Sequence, residues 1–241
     1  MDSTTQSRLK EVLTDRLKAA EERIHAACRC AGRPRSEVTM VAVTKTISAE
    51  IAALLPSLGV LDLGESRPQE LWRKTAHLSK VAPRVRWHQV GHLQRNKIEA
   101  TLPLVHLIHS VDSVRLLNAL DREVTKQQRT AVVLLEVNVS REANKHGFSP
   151  QEIPGLAKPI NDLKHVQVAG LMTMAALESD TQQSRRTFAE LRQLRDRCRP
   201  DFPPRHDLCQ LSMGMTNDFE VAIEEGATLI RLGTVLFEGL A

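Results

Sequence analysis

Tyrosine is absent from this chain of 241 residues, and the aromatic share is only 3%. So few rings cannot build the stacking platforms on which single-stranded nucleic acid rests. Charge offers no substitute: 33 basic against 29 acidic residues leave a net charge of +4. The densest basic tract, 185–199, is interrupted by Glu190 and Asp196, as on the solvated face of a helix. Nucleic-acid binding is not expected. No run reaches the roughly 18 apolar residues of a membrane helix; the best candidate, Ile51 to Val60, is broken by Pro56 and Ser57. The N-terminus alternates charged with apolar residues and shows no apolar signal region, so neither secretion nor a membrane is expected, and the location expected is cytoplasmic. The cysteines, Cys28, Cys30, Cys198 and Cys209, form no CxxC pair. On a helix Cys28 and Cys30 would point roughly 200° apart, so reduced thiols are expected and a cysteine zinc site is not.

What is present is alternation. An amphipathic helix is expected over about residues 4–31, with Leu9, Val12, Leu13, Leu17, Ile24 and Ala27 at helical spacing. Eight β-rich apolar runs follow, at 38–44, 60–64, 85–91, 105–111, 131–139, 166–172, 208–212 and 228–233. Helical stretches are expected between them at 49–55, 68–78, 94–100, 113–125, 150–163, 181–199 and 217–225. Such alternation argues for parallel βαβ units, and eight strands in this length point to one α/β domain, a closed (β/α)8 TIM barrel; an open doubly wound sheet is the alternative. The tail TVLFEGLA has room for only about two helical turns. The N-terminal helix is expected to cover part of the face that a full eighth helix would occupy.

In such a barrel, chemistry gathers where the strands end. Reading off those ends gives Lys45, Gly64-Glu65-Ser66, His88 with Gly91, His109 to Asp112, Asn138, Met172 to Met174, Ser212-Met213-Gly214-Met215, and Arg231 with Gly233-Thr234. The last two ends suit an anion, because loops after strands seven and eight are the usual phosphate cradle of these barrels; alternatively, Gly214 and Gly233 merely make turns. Asp218 and Glu220 would make the following helix a poor phosphate site itself. Lys45 shares the parity of Val41 and Val43; if that face lines the barrel, its ammonium is partly desolvated and its free amine can attack an aldehyde. The alternative is a surface lysine. Arg231, in mid-strand, requires a partner: Glu136 or Asp112 in an ion pair, or a ligand atom.

Together these pieces resemble the pyridoxal phosphate homeostasis protein (YggS/PROSC) family, from about Val38 to Gly239. The resemblance rests on VAVTK, GESRPQE, WHQVGHLQRNK, HSVD, EVNVSREANKHG, GLMTM, LSMGMTNDFEVAI and GATLIRLGTVLF, in order. It implies the barrel of the alanine racemase N-terminal-domain type, with pyridoxal 5′-phosphate (PLP) held as a Schiff base on Lys45. It further implies a phosphate loop of Ser212, Met213, Gly214 and Met215 with Gly233 and Thr234, and Arg231 facing the pyridine nitrogen. Ser66, His88, Asn138 and Met172 complete the implied cofactor site, with no metal. Three departures stand out: Ser66 where the family has asparagine, Gln89 where it has an apolar residue, and Glu238 inserted into the terminal FG.

Racemases of the related fold use a tyrosine from another domain as second base. A chain without tyrosine cannot be a lysine–tyrosine racemase. The reading is therefore a PLP-binding protein, expected to be a monomer, that buffers the cofactor or delivers it to PLP-dependent apo-enzymes, without established turnover. A PLP enzyme of racemase or decarboxylase type, with His88, His109 or solvent as second acid, is the alternative. A lysine Schiff-base aldolase without PLP is a third reading.

Overall fold

Asp2 opens the longest helix by accepting the Thr5 amide hydrogen on its carboxylate, satisfying one of the donors that a helix start leaves bare. That helix, α1 (Ser3–Cys30), buries Leu13, Ala20, Ile24 and Ala27. The structure, a computed structural model, describes residues 2–142, 146–176 and 179–240. Positions 143–145 of the EVNVSREANKHG motif therefore lie outside the described residues.

After α1 come β1 (Thr39–Val43), α2 (Ala49–Ala52), β2 (Asp62–Glu65), α3 (Pro68–Leu78), β3 (Arg86–Gln89), α4 (Ile98–Thr101), β4 (Leu107–Val111) and α5 (Val114–Lys126). The chain continues through β5 (Ala131–Glu136), α6 (Ala157–Asn161), β6 (Val166–Met172), α7 (Thr181–Cys198), β7 (Gln210–Ser212), α8 (Phe219–Glu224), β8 (Leu229–Leu232) and α9 (Thr234–Phe237). Each strand pairs in parallel with the next, and β8 closes onto β1 through pairs such as Val41–Arg231. The chain forms the expected (β/α)8 barrel, not the open sheet.

Every apolar run holds one strand to within a residue. The helices depart further. The stretch 94–100 becomes a 3-10 turn at Arg95–Lys97 followed by α4, and 150–163 becomes a 3-10 turn at Ile153–Leu156 followed by α6. Pro56 and Pro154 each sit at the start of a 3-10 turn, where their missing amide hydrogens cost nothing but no longer α-helix grows back through them.

Val41, Leu107, Leu134, Ala169, Met172 and Leu229 form an apolar cluster inside the barrel, while the larger core lies between the strands and the outer helices. Because α9 is one turn long, α1 takes up the space beside it. Arg16 Nη1 on α1 donates to the carbonyl oxygens of Leu236 and Glu238 at 3.1 and 2.8 Å. Arg23 pairs with Glu220 on α8 at 2.6 Å. Among the described residues, no helix is long and apolar enough to cross a membrane.

Candidate functional site

Lys45 stands in the turn two residues beyond β1, and its side chain is exposed. Val41 does line the interior, so the parity argument holds along the strand, but the chain leaves the barrel wall at Thr44. Of the two readings of Lys45, partial desolvation is set aside and the surface position holds: the side chain is presented to solvent at the mouth. The turn itself is anchored from below. Lys74 Nζ, on α3, donates to Glu65 Oε1 at 2.5 Å and to the carbonyl of Thr44 at 2.6 Å, and Thr44 Oγ1 donates to the same Glu65 oxygen at 2.6 Å. Both charged side chains are only 1% exposed. A buried ion pair thus grips the peptide group immediately before Lys45. None of these three residues stood out as functional in the sequence, although Glu65 lies in the GES turn.

That turn explains one departure from the family pattern. Gln89 Nε2 donates to the carbonyls of Ser66 and Gly91 at 3.0 and 2.9 Å. The loops after β2 and β3 touch here so closely that a Cβ on Gly91 would lie 2.5 Å from the Ser66 carbonyl oxygen. Gln89 staples two loops of the mouth, a task an apolar side chain cannot perform. Ser66 itself is half-buried. The inserted Glu238 is exposed, and its carbonyl serves Arg16.

Across the barrel interior runs a continuous polar chain. Asp62 Oδ1 meets His88 Nε2 at 3.0 Å, His88 Nδ1 meets His109 Nε2 at 2.9 Å, and His109 Nδ1 meets Ser212 Oγ at 2.8 Å. Ser212 Oγ in turn accepts from Arg231 Nη1 at 2.5 Å, and Arg231 Nη2 donates to the Thr173 carbonyl at 2.9 Å. Arg231 can only donate, so Ser212 Oγ accepts from it, and the Asp62 carboxylate can only accept, so His88 Nε2–H donates to it. The His88–His109 and His109–Ser212 bonds run in the direction set by the His109 tautomer. Burial would raise the Asp62 carboxyl, but the hydrogen bonds and charges of His88 and Arg86 outweigh it and hold the pKa at about 2. Burial, with smaller contributions from His88 and Arg231, holds His109 well below the usual histidine value of 6.5. His109 serves this chain as a neutral ring.

The sign of the resulting pH effect is definite. His109 takes up a proton in the unfolded chain below about pH 6.5 but not in the folded one, so its contribution to stability is lost as the pH falls. The wild type should lose about 1.4 kcal/mol more per pH unit between pH 6 and 5 than a His109→Gln variant. Urea unfolding at several pH values measures this; parallel slopes would contradict a neutral buried His109.

Arg231 is 5% exposed, and burial, only partly offset by Asp218 and Glu136, lowers its pKa to about 10. It therefore remains a cation at neutral pH. Of the alternatives for Arg231, the ion pair with Glu136 or Asp112 is not formed: the guanidinium is hydrogen-bonded to Ser212 and Thr173, and both carboxylates stand beyond salt-bridge distance. Burial, then the charge of Asp112, raises the pKa of Glu136.

The loops after β7 and β8 offer less than their sequence promised. Met213 is buried in the outer core, and its amide donates to the Leu229 carbonyl at 3.1 Å. The Met215 amide is taken by Asp218 Oδ1 at 2.6 Å. Ser212 Oγ belongs to the interior chain. Among the described residues, the amides of Gly214, Gly233 and Thr234 remain without an acceptor, a small nest suited to an oxyanion. Gly214 has φ +92°, and a Cβ there would lie 2.5 Å from that of Ala222. A side chain at Gly214 would therefore push the loop off α8 rather than block an anion directly. Met172 lies in the apolar interior cluster. Asn138, half-buried, donates to the Glu142 carbonyl at 2.8 Å within its own loop.

The parallel barrel thus presents a lysine, unpaired loop amides and a buried guanidinium at the carboxyl end of its strands. The model for "Alanine racemase, N-terminal domain" matches residues 16–240, and the chain belongs to that family, grouping with its pyridoxal phosphate homeostasis proteins. One such protein, from Aquifex aeolicus (strain VF5), is 37% identical over 92% of this chain and 96% of its own length. A crystal structure of an unknown protein from Bifidobacterium adolescentis superposes with a TM-score of 0.91 at 36% identity, over 98% of this chain and 97% of that one. PipY of Synechococcus elongatus PCC7942, solved with PLP bound, gives a TM-score of 0.79 at 31% identity, over 93% and 99%.

Proposed function

We propose that the protein binds pyridoxal 5′-phosphate at the barrel mouth, linked to Lys45, and holds or delivers it without turning over amino acids. The observation that carries this reading is the convergence on one mouth of the anchored Lys45 turn, the unpaired amides of Gly214, Gly233 and Thr234, and the Arg231 guanidinium. The PLP-bound relative PipY supports it. When bound, the group supplies an aldehyde carbon that captures amines and a ring that withdraws electrons. The residues of this chain divide that work. Lys45 offers the amine, the loop amides receive the phosphate, and Arg231 faces the ring nitrogen.

Two features favour holding over turnover. Arg231 remains a guanidinium near neutral pH, so it donates a hydrogen bond without passing a proton, and the ring stays a weak electron sink. A racemase or decarboxylase would also need a second acid. His88 and His109 have both ring nitrogens engaged inside the barrel, and the chain has no tyrosine. Apo-forms of PLP enzymes are the natural recipients.

The test is to incubate PLP-loaded protein with L- and D-amino acids in heavy water. Exchange at the α-carbon should run far below the roughly 1–1000 per second of ordinary enzymes. Rapid, saturable exchange that disappears in Lys45→Ala would replace the carrier with an enzyme.

A further inference from the structure

Three side chains at the same end of the barrel have no part in the cofactor reading: His92 after β3, Asp112 after β4 and His146 after β5. Their donor atoms all lie within 4.8 Å of one another. His92 Nδ1 is 2.9 Å and His146 Nδ1 4.0 Å from the same oxygen, Asp112 Oδ2, and the two rings stack with centroids 4.7 Å apart. An ordinary His–Asp hydrogen bond accounts for the first distance. It leaves unexplained the second imidazole turned to the same oxygen, and it leaves unexplained Glu136. That residue ends β5, is 7% exposed, and forms no side-chain hydrogen bond or ion pair with another described residue. The charged groups around its carboxyl are Asp112, His146, Arg231 and His92.

We propose that His92, Asp112 and His146 bind a divalent transition-metal ion of the zinc type, with Glu136 as the buried carboxylate behind it. Two imidazole nitrogens and a carboxylate oxygen are a zinc ligand set, with bonds of about 2.0–2.2 Å. The nitrogen donors select such an ion over magnesium or calcium, which prefer oxygen alone. Neighbouring donors on one ion stand about 3.3 Å apart in tetrahedral geometry. The His92–Asp112 pair is already that close, and the exposed His146, whose donor lies within 4.8 Å of the other two, has up to about 1.5 Å to close. An ion of charge +2 also offsets Asp112 and Glu136, two carboxylates that otherwise face each other without a cation in contact with both. Three protein ligands leave an open position toward solvent, as in sites that take up a water or a small anion.

The inference stands apart from the cofactor reading and is tested without PLP. Chelator-treated protein carrying Cys30→Ser and Cys209→Ser, which removes the exposed thiols, is titrated with Zn2+ by calorimetry and with Co2+ by visible absorption. One ion per chain is expected, with a cobalt spectrum of nitrogen and oxygen ligation. His146→Ala and Asp112→Asn should each weaken binding by more than about tenfold, and Glu136→Gln by about tenfold. His146→Ala alters an exposed side chain, so it should fold normally by circular dichroism and still take up PLP. Absence of saturable binding, or unchanged affinity in both His146→Ala and Asp112→Asn, would overturn the assignment.

Discussion

Lys74→Met should destabilise the protein by about 3–5 kcal/mol, because it leaves the Glu65 carboxylate buried without its cation. The two side chains are 1% exposed and meet at 2.5 Å, so water cannot replace the missing ammonium. The pair also holds the Thr44 carbonyl, so the Lys45 turn loses its anchor, and PLP uptake should fall along with stability. Pairing Lys74→Met with Glu65→Leu should recover most of the stability, since removing both charges leaves nothing to solvate. It should not recover full cofactor uptake, because the Thr44 carbonyl still lacks its donor. Denaturant unfolding and PLP titration of the three variants check both statements. A single variant within about 1 kcal/mol of the wild type would show that the pair does not organise the mouth.

Arg231→Leu should cost a similar amount, again about 3–5 kcal/mol. Leucine leaves the Thr173 carbonyl and the Ser212 oxygen without a donor in a buried site, at about 1–3 kcal/mol for each unsatisfied group. It also removes the cation that faces Glu136 and Asp218. Those two carboxyl groups should then take up protons more readily, so the stability difference from wild type should shrink as the pH falls toward 5. PLP affinity should drop as well. Arg231→Lys is the informative control: it restores the charge but not the fork that reaches Ser212 and Thr173 together, so its stability and affinity should fall between the two. A leucine variant as stable as the wild type would remove Arg231 from the account.

The contrast between these two sites shows what a sequence can and cannot reveal. The strands were legible because β-branched and aliphatic runs such as AVVLLE at 131–136, short and bounded by polar residues, have few other fates. The mouth residues were legible for the same reason, since strand ends can be counted once strands are found. Arg231 stood out as a charge in mid-strand, but its partners did not. Ser212 and Thr173 reach it only because β8 pairs with β7 in one register, and β7 with β6 in another. The Asp62–His88–His109 chain is hidden for the same reason, as it depends on the register in which β2, β3 and β4 pair. The burial of Lys74 depends on where α3 docks. The exposure of Lys45 was one of two readings the sequence left open, because alternation along β1 does not show that the chain turns off the wall at Thr44. Short helices such as α4 and α6 were overextended because proline-started 3-10 turns share the apolar texture of an α-helix.

The central claim is that Lys45 holds the cofactor, and one measurement addresses it directly. The purified protein is equilibrated with PLP, reduced with borohydride, digested and mapped by mass spectrometry. The account predicts a single pyridoxyl group on Lys45, formed at low PLP excess and suppressed by inorganic phosphate in competition for the Gly214, Gly233 and Thr234 amides. A label recovered chiefly on Lys97, or spread over exposed lysines with no preference for Lys45, would contradict it.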